Sequence, residues 1–448
     1  MNQLFGTDGI RGLAGDFPLD KKTVSIVGAS LARYFREQLG RDPRFVTGRD
    51  TRESGEWIEK AFHAGALNEG AMCESAAVIT TPGVAYVTRA FDFDAGIVIS
   101  ASHNPFHDNG IKIFLPTGKK IDEGTERRIE ADVFGAMDAN ANQSPTVLNL
   151  ERVSEFREHY LSHLKHEADG FSANGLKIVI DCANGASSKL APSLFSGFGA
   201  NVITIHNEPN GRNINENCGS THIEPLRTKV VEEKADLGVA FDGDADRALF
   251  IDENGENVDG DATLWIMARY LKNHGKLTNS TVVATVMSNI GLELALKSIG
   301  INLLRADVGD KYVLEELLKT ASEIGGEQSG HIIFPERGLV GDGMMTALLL
   351  LRAVKEMGVT LSAAVSGFVR FPQILKNVKV REKRPFDDVP AIVATTKQIE
   401  AEIHGQGRLL LRYSGTENLA RVMIEGQDQT AIELQANRLA GIILEQLG

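Results

Sequence analysis

The chain has 448 residues, with 47 Lys plus Arg against 60 Asp plus Glu, a formal net charge of −13 and three cysteines. An acidic excess excludes a general nucleic-acid binder, which needs a basic face to release counterions. The scattered thiols Cys73, Cys182 and Cys218, with no CxxC or His-rich cluster, exclude a disulfide framework and a zinc module, and they read as reduced and intracellular. The N-terminus MNQLFGTDGIRG lacks a charged segment followed by an apolar one, and the greasiest run, Met344 to Leu351, is far shorter than the ~20 residues that span a bilayer. The expectation is a soluble cytoplasmic protein of about two to four domains, with no membrane partner.

In chain order, one pattern recurs three times: a short apolar strand, a Gly/Asp/Asn-rich loop and an amphipathic helix. The first copy is the strand Arg44–Asp50 with a helix over Gly55–Asn68 stopped near Gly70. The second is Leu176–Asn184, a helix over Ser187–Phe195 and a strand at Asn201–Ile205. The third is Thr281–Met287, a helix over Gly291–Ser298 and a strand at Asn302–Leu304. Alternation of this kind predicts three similar α/β domains with mixed, mainly parallel sheets covered on both faces. From about Val369 the pattern changes to strands at Val378–Val380, Leu409–Tyr413 and Ala420–Glu425 with helices at Asp388–Ile403 and at the end, a smaller C-terminal α+β domain. Turns near 138–145 and 253–261 mark boundaries, and the expected division is 1–150, 151–256, 257–368 and 369–448.

Some 40–60 residues after each opening strand, a second strand-like segment ends in a polar loop, where open α/β sheets bind ligands. In FDGDADR, Asp242, Asp244 and Asp246 alternate directly after the apolar Leu237–Phe241. Three close carboxylates repel, and a hard divalent cation is the simplest neutraliser. An EF-hand is the rival, with Glu253 at its twelfth position, but its sixth is Arg247 where Gly is required, and the flanks read as strands. A solvated acidic turn is the plain alternative. ISASHNPFHDNGIKIF presents Ser102, His103 and Asn104 after a buried strand, either as a nucleophile or as capping groups of an Asn-Pro turn, and it has neither GxSxG nor P-loop spacing. GGEQSGH offers Glu327, Ser329 and His331 between glycines, suited to sugar hydroxyls or to an ordinary polar turn. RYSGTENLAR supplies Arg412, Ser414, Gly415, Thr416, Asn418 and Arg421, either a phosphate cradle or a hairpin with solvated arginines. Asp8 and Arg11 in FGTDGIRG, and Arg49, Asp50 and Arg52 in VTGRDTRESG, are candidate site groups or surface ion pairs. A serine loop, a triple-Asp loop and cationic loops in one chain fit phosphoryl transfer.

These four loops, in this order and spanning essentially the whole chain, resemble the α-D-phosphohexomutase superfamily. FGTDGIRG, NINENCGSTH at 213–222, VGDKYV at 308–313 and Gln328 resemble its members that act on glucosamine phosphate. The resemblance implies a four-domain α/β enzyme around a central cleft, an isomerase acting by intramolecular phosphoryl transfer. Ser102 would be carried as phosphoserine, with one Mg²⁺ between its phosphate and Asp242, Asp244 and Asp246. Glucosamine 6-phosphate and glucosamine 1-phosphate would interconvert through glucosamine 1,6-bisphosphate or a related hexose bisphosphate, feeding amino-sugar nucleotide and peptidoglycan precursors. The resemblance further implies that Arg11, His103, Lys112 and Arg247 surround the transferring group. Glu327 and Ser329 with His331 would grip the sugar, and Arg412, Ser414, Gly415, Thr416, Asn418 and Arg421 would hold the idle phosphate. The partner is then a small phosphosugar, and a homodimer is allowed because nothing in the sequence fixes the oligomeric state. Two positions depart from the superfamily pattern: Asn418 stands where Pro is common, and Lys311 stands where Arg is usual, keeping the cation but losing the bidentate fork.

Overall fold

The strand Ala95–Ile99 (AGIVI) is buried at every position, as befits an all-apolar strand covered on both faces. It is central to the first sheet of a computed structural model that describes residues 4–6, 8–136, 146–414 and 417–448. The described residues group into two compact units, Met1–Val286 with Leu304–Val365, and Met287–Leu303 with Ser366–Gly448.

The first unit holds three mixed sheets built on one plan. In the six-stranded sheet, Arg44–Arg49 runs parallel to Met72–Val78 and to Ala95–Ile99, and Ala95–Ile99 then pairs antiparallel with Asp108–Phe114. In the five-stranded sheet, Lys177–Asp181 runs parallel to Asn201–Ile205 and Leu237–Phe241, and the latter pairs antiparallel with Ala248–Asp252. In the four-stranded sheet, Thr281–Thr285 runs parallel to Gly325–Gly326, which pairs antiparallel with Ile332–Ile333. Each time a strand of the parallel half turns back through a hairpin, and that hairpin is one of the polar loops. Each loop therefore leaves the carboxyl end of a buried strand, and a rigid sheet aims its side chains.

Helices form where the sequence caps them. Asp20 accepts from the Thr23 amide at the start of Lys21–Leu39, and Gly40 closes that helix in the left-handed conformation. The helix Gly55–Asn68 has the extent its periodicity predicts. The expected helix Ser187–Phe195 is instead a 3₁₀ turn at Ala186–Ser188 followed by a helix at Ala191–Gly197. Pro192 explains the break, because it offers no amide donor and is tolerated only in a first turn. The turn at 138–145 lies outside the described residues.

In the second unit, Gln373–Lys379, Leu419–Gly426 and Gly407–Tyr413 form an antiparallel sheet. The helix Gln429–Leu447 buries Ile432, Ala436, Leu439, Ile443 and Leu447, a single apolar stripe. The helix Ile290–Ser298, third in the repeating pattern, groups with this unit. The Asn289 side chain donates to the Phe371 carbonyl (2.9 Å) and accepts from the Phe371 amide (3.0 Å), tying the helix start to the 366–371 segment.

Candidate active site

The serine and metal loops meet in the first unit. Ser102 is 1% exposed and sits in the left-handed region at φ +52°. Its hydroxyl donates to Asp242 Oδ2 at 2.5 Å. Asp242, Asp244 and Asp246 are all buried, and each offers an oxygen within 4.8 Å of the others. Gly243 between them is required by close approach: a Cβ there would lie 2.5 Å from the Ser102 carbonyl oxygen. The EF-hand reading fails on this geometry. The triad occupies the turn between two antiparallel strands, and Glu253 lies beyond the far end of the second, accepting from Ser362 Oγ at 2.5 Å.

Cations converge on the triad. Lys112, 2% exposed, points Nζ at Asp244 (3.0 Å), Asp246 (3.3 Å) and Asp8 (3.3 Å). Burial alone would lower the pKa of Lys112, but Asp244, Asp8 and Asp246 outweigh it and hold the ammonium charged. Burial together with the neighbouring charges of Asp246 and Asp244 pushes Asp242 well above the usual carboxylate range. Asp246 moves the other way: against burial, Lys112, His331 and Arg247 hold it well below. His331 answers Asp246 at 3.7 Å and rises to about 9 despite its burial. His103 is lowered to about 4 by burial, then by Arg247 and Arg11, so its neutral ring accepts from Arg247 Nη1 at 3.2 Å. Its Nδ1 is 3.4 Å from Ser102 Oγ. Arg11 pairs with Asp8 and donates to the Ala101 carbonyl at 3.3 Å.

The sugar-type loop is a tight turn. Glu327 N–H donates to the His331 carbonyl (3.0 Å) and Gly330 N–H to the Glu327 carbonyl (3.0 Å). Glu327 Oε1 accepts from the Gly309 amide at 3.2 Å, while Ser329 Oγ is buried with no hydrogen-bond partner. A Cβ at Gly260 would meet the Glu327 carbonyl at 1.9 Å, so the start of helix Gly260–Asn273 backs this turn directly.

The fourth loop belongs to the second unit. Arg412 and Arg421 are directly opposed across the antiparallel ladder, an arrangement of like charges that destabilises a bare hairpin and suits an anion. Ser414 is buried, and its hydroxyl accepts from the Glu417 amide (3.3 Å) and from Arg421 Nη2 (3.4 Å). The Asn418 carbonyl accepts from the Val380 amide at 3.0 Å. Gly415 and Thr416 lie outside the described residues.

Family models for phosphoglucomutase/phosphomannomutase match the chain throughout: domain I over residues 2–140, domain II over 158–255, domain III over 259–371 and the C-terminal domain over 375–442. A phosphoglucosamine mutase of Solibacter usitatus is 47% identical over 99% of both chains, and one of Brevibacillus brevis is 46% identical over the full length of both. The chain belongs to the phosphoglucosamine mutase family. Two solved structures share the fold. One is a phosphoglucomutase/phosphomannomutase family protein of Burkholderia thailandensis (TM-score 0.80, 21% identity, covering 100% of this chain and 99% of that one). The other is an Aspergillus fumigatus N-acetylphosphoglucosamine mutase, solved with GlcNAc-6P and magnesium (TM-score 0.65, 19% identity, covering 99% and 95%).

A divalent metal, which membership of the phosphoglucosamine mutase family implies, fits the residues present. Asp244 Oδ1 and Asp246 Oδ1 are buried without a hydrogen-bond partner, and an all-oxygen donor set is what a hard cation takes. Asp181, His206 and Cys218 also bring ligand atoms within 4.8 Å of one another. Both Asp181 oxygens are, however, already used by the Ala183 and Gly219 amides.

Some site groups carry no motif of their own. Thr81 Oγ1 donates to Asp244 at 2.6 Å, and Lys120 bridges Asp8 (2.5 Å) and Asp310 (2.7 Å). Asp310 sits inside VGDKYV, next to the Lys311 singled out from sequence, but Lys311 itself turns outward to Glu123 at 3.3 Å. Arg49 pairs with Glu59 on the helix Gly55–Asn68, whereas Asp50 and Arg52 are buried together against the serine loop and are no surface pair.

Proposed function

We propose that this chain interconverts glucosamine 6-phosphate and glucosamine 1-phosphate through a phosphorylated Ser102, with glucosamine 1,6-bisphosphate as the intermediate. A sugar hydroxyl oxygen attacks the phosphorus of phospho-Ser102 as the P–Oγ bond breaks, and the proton given up by the hydroxyl is balanced by the one that the departing Ser102 oxygen takes up. The bisphosphate then reorients, and its other phosphoryl group returns to Ser102, releasing product. One observation carries this reading: a buried serine hydroxyl 2.5 Å from one member of an alternating carboxylate triad, with a buried ammonium facing the other two. Pure binding requires neither.

Asp242, Asp244 and Asp246 with the Ser102 oxygen would hold one Mg²⁺, which when bound offsets charge on the phosphoryl oxygens. Lys112, Arg247 and Arg11 are cations held by neighbouring groups, Lys112 fully buried and the two arginines partly so, and they stabilise developing charge with little reorganisation. Glu327, Ser329 and His331 bind the sugar hydroxyls, and Arg412, Ser414, Gly415, Thr416, Asn418 and Arg421 take the phosphate that is not transferring. Cytoplasmic residence is supported by three buried free thiols.

Intact-mass analysis with phosphosite mapping, followed by turnover on glucosamine, glucose and mannose phosphates, tests the reading. Phosphate on Ser102 and preference for the amino sugar are expected. Active enzyme without phosphate on Ser102 overturns the mechanism, and an equal or better rate on glucose phosphate overturns the substrate.

A further inference from the structure

Ser102 holds a left-handed backbone conformation that non-glycine residues adopt only when their surroundings impose it. The surroundings here are specific. The Ser102 amide donates to Ser100 Oγ at 2.9 Å, Ser100 Oγ donates to Asp50 Oδ2 at 2.6 Å, and Asp50 pairs with Arg52. Arg52 Nη2 then donates to the Ser102 carbonyl at 3.1 Å and to the Asn104 carbonyl at 2.6 Å. The circuit closes on itself: one buried ion pair holds both the amide and the carbonyl of the same serine. From the second sheet's side, Asn215 Nδ2 donates to the same two carbonyls, at 2.9 Å each. Asn215 is itself fixed, with its amide bonded to the Ala183 carbonyl at 3.0 Å and its own φ at +59°.

Burying a guanidinium with its carboxylate is costly and is not an economical way to shape a surface turn. Arg52 and Asp50 are 2% and 1% exposed. Nη2 alone spans the two carbonyls while Nη1 engages Asp50, and a lysine ammonium, a single point donor, lacks the planar fork that serves the carboxylate and the carbonyls at once. The geometry points to Arg52 and Asn215 as positioning residues for the reaction: together they clamp the carbonyls on either side of His103 and so fix Ser102 Oγ against the carboxylate triad. This rests on the phosphoserine reading of Ser102. It gives a role to two sequence features that reading left unused, GRDTR at 48–52 and NINEN at 213–217. The clamp acts through Ser102 and touches no substrate, so its loss falls on kcat and leaves KM nearly unchanged.

Four variants test it: Arg52→Lys, Arg52→Gln, Asn215→Asp and the Arg52→Gln/Asn215→Asp double. Each is measured for kcat, KM, melting temperature and, by intact mass, the phosphorylated fraction of Ser102 after incubation with glucose 1,6-bisphosphate. Asn215→Asp is nearly isosteric and turns a donor into an acceptor facing two carbonyls, so its kcat is read only at temperatures well below its measured melting temperature. A misplacement of about 1 Å costs on the order of 100-fold, so kcat should fall about 100-fold in Arg52→Gln and Asn215→Asp, with KM within about twofold. Arg52→Lys should recover part of this through one carbonyl. Because both side chains grip the same atoms, the double variant should lose far less than the product of the singles. The phosphorylated fraction should fall in parallel. Folded Arg52→Lys and Asn215→Asp with wild-type kcat and full phosphorylation, alongside an inactive Ser102→Ala, overturn the clamp alone. Activity in Ser102→Ala overturns the phosphoserine reading and the clamp with it.

Discussion

The serine and metal loops of the first unit and the phosphate-type loop of the second are the same device, a polar hairpin connection between antiparallel strands, built under different solvation. Ser102, Asp242, Asp244 and Lys112 are each no more than 2% exposed, and their polar atoms lie within a few ångströms of fixed partners. The Arg421 side chain is 30% exposed and is held by a 3.4 Å bond to Ser414 and a 3.7 Å pair with Glu417. Where a P–O bond breaks, charges fixed in advance cost no reorganisation at the moment of transfer. On the proposed reading the phosphate held by this hairpin does not react, and partly exposed guanidiniums are enough to hold it. The comparison predicts kcat defects from the first region and KM defects from the second.

The largest effect belongs to Ser102. On the proposed mechanism Ser102→Ala removes the phosphoryl acceptor, and turnover should fall by at least about 10⁴-fold, as for other nucleophile deletions. Turnover within tenfold of wild type in a phosphosugar mutase assay would remove the ground for treating the two regions differently. Next comes Lys112→Gln. Deleting a fixed cation aimed at developing charge costs on the order of 10²–10³ in kcat. A variant changed only in KM would assign Lys112 to substrate holding and blur the contrast.

Most of this division can be read in the sequence. The three carboxylates of FDGDADR and the hydroxyl of ASHNP are contiguous, so local spacing reveals them, and the apolar strand before each loop locates it at a sheet end. Arg52, Asn215, Thr81, Lys120 and Asp310 are a different matter. They meet their site partners through tertiary packing across 50 to 190 residues of chain, and although GRDTR, NINEN and VGDKYV draw the eye to the segments of Arg52, Asn215 and Asp310, nothing local shows what those side chains touch. Arg52 next to Asp50 even imitates a surface ion pair, and only burial shows otherwise. The single helix expected over Ser187–Phe195 failed for a local reason, because Pro192 fits a first turn and cannot sit inside one.

The first unit also carries an acid-sensitive group. His63 lies in the first unit's interior, with Nε2 2.8 Å from Thr47 Oγ1, and burial lowers it to about 4 from an ordinary value near 6.5. Its folded pKa is below its unfolded one, so the folded state binds fewer protons between these values. The contribution is fully present above about pH 6.5 and is lost as pH falls toward 4, amounting to about 3 kcal/mol. His63→Gln should flatten the fall of the melting temperature between pH 6.5 and 4.5. An unchanged pH slope would show that other groups govern the acid sensitivity of this unit.

The smallest effect separates the regions most cleanly, because stability and function should move in opposite directions. Arg412 and Arg421 face each other across the ladder, with Glu417 3.7 Å from Arg421, and like charges directly opposed weaken a hairpin to the extent that neighbouring groups do not offset them. Arg421→Gln relieves that repulsion and keeps a donor within reach of Ser414. The melting temperature should therefore stay level or rise slightly, while KM for the phosphosugar should rise about tenfold, the value of one charge-assisted contact, with kcat changed far less. Lys112→Gln in the first unit has no such compensation, since it leaves buried carboxylates without their cation and should lower the melting temperature of the metal-free protein. If Arg421→Gln destabilises the fold as Lys112→Gln does, the arginine pair is a structural element and the anion-binding reading of this hairpin falls. If KM rises while the fold holds, the electrostatic strain in the hairpin is what an incoming phosphate relieves.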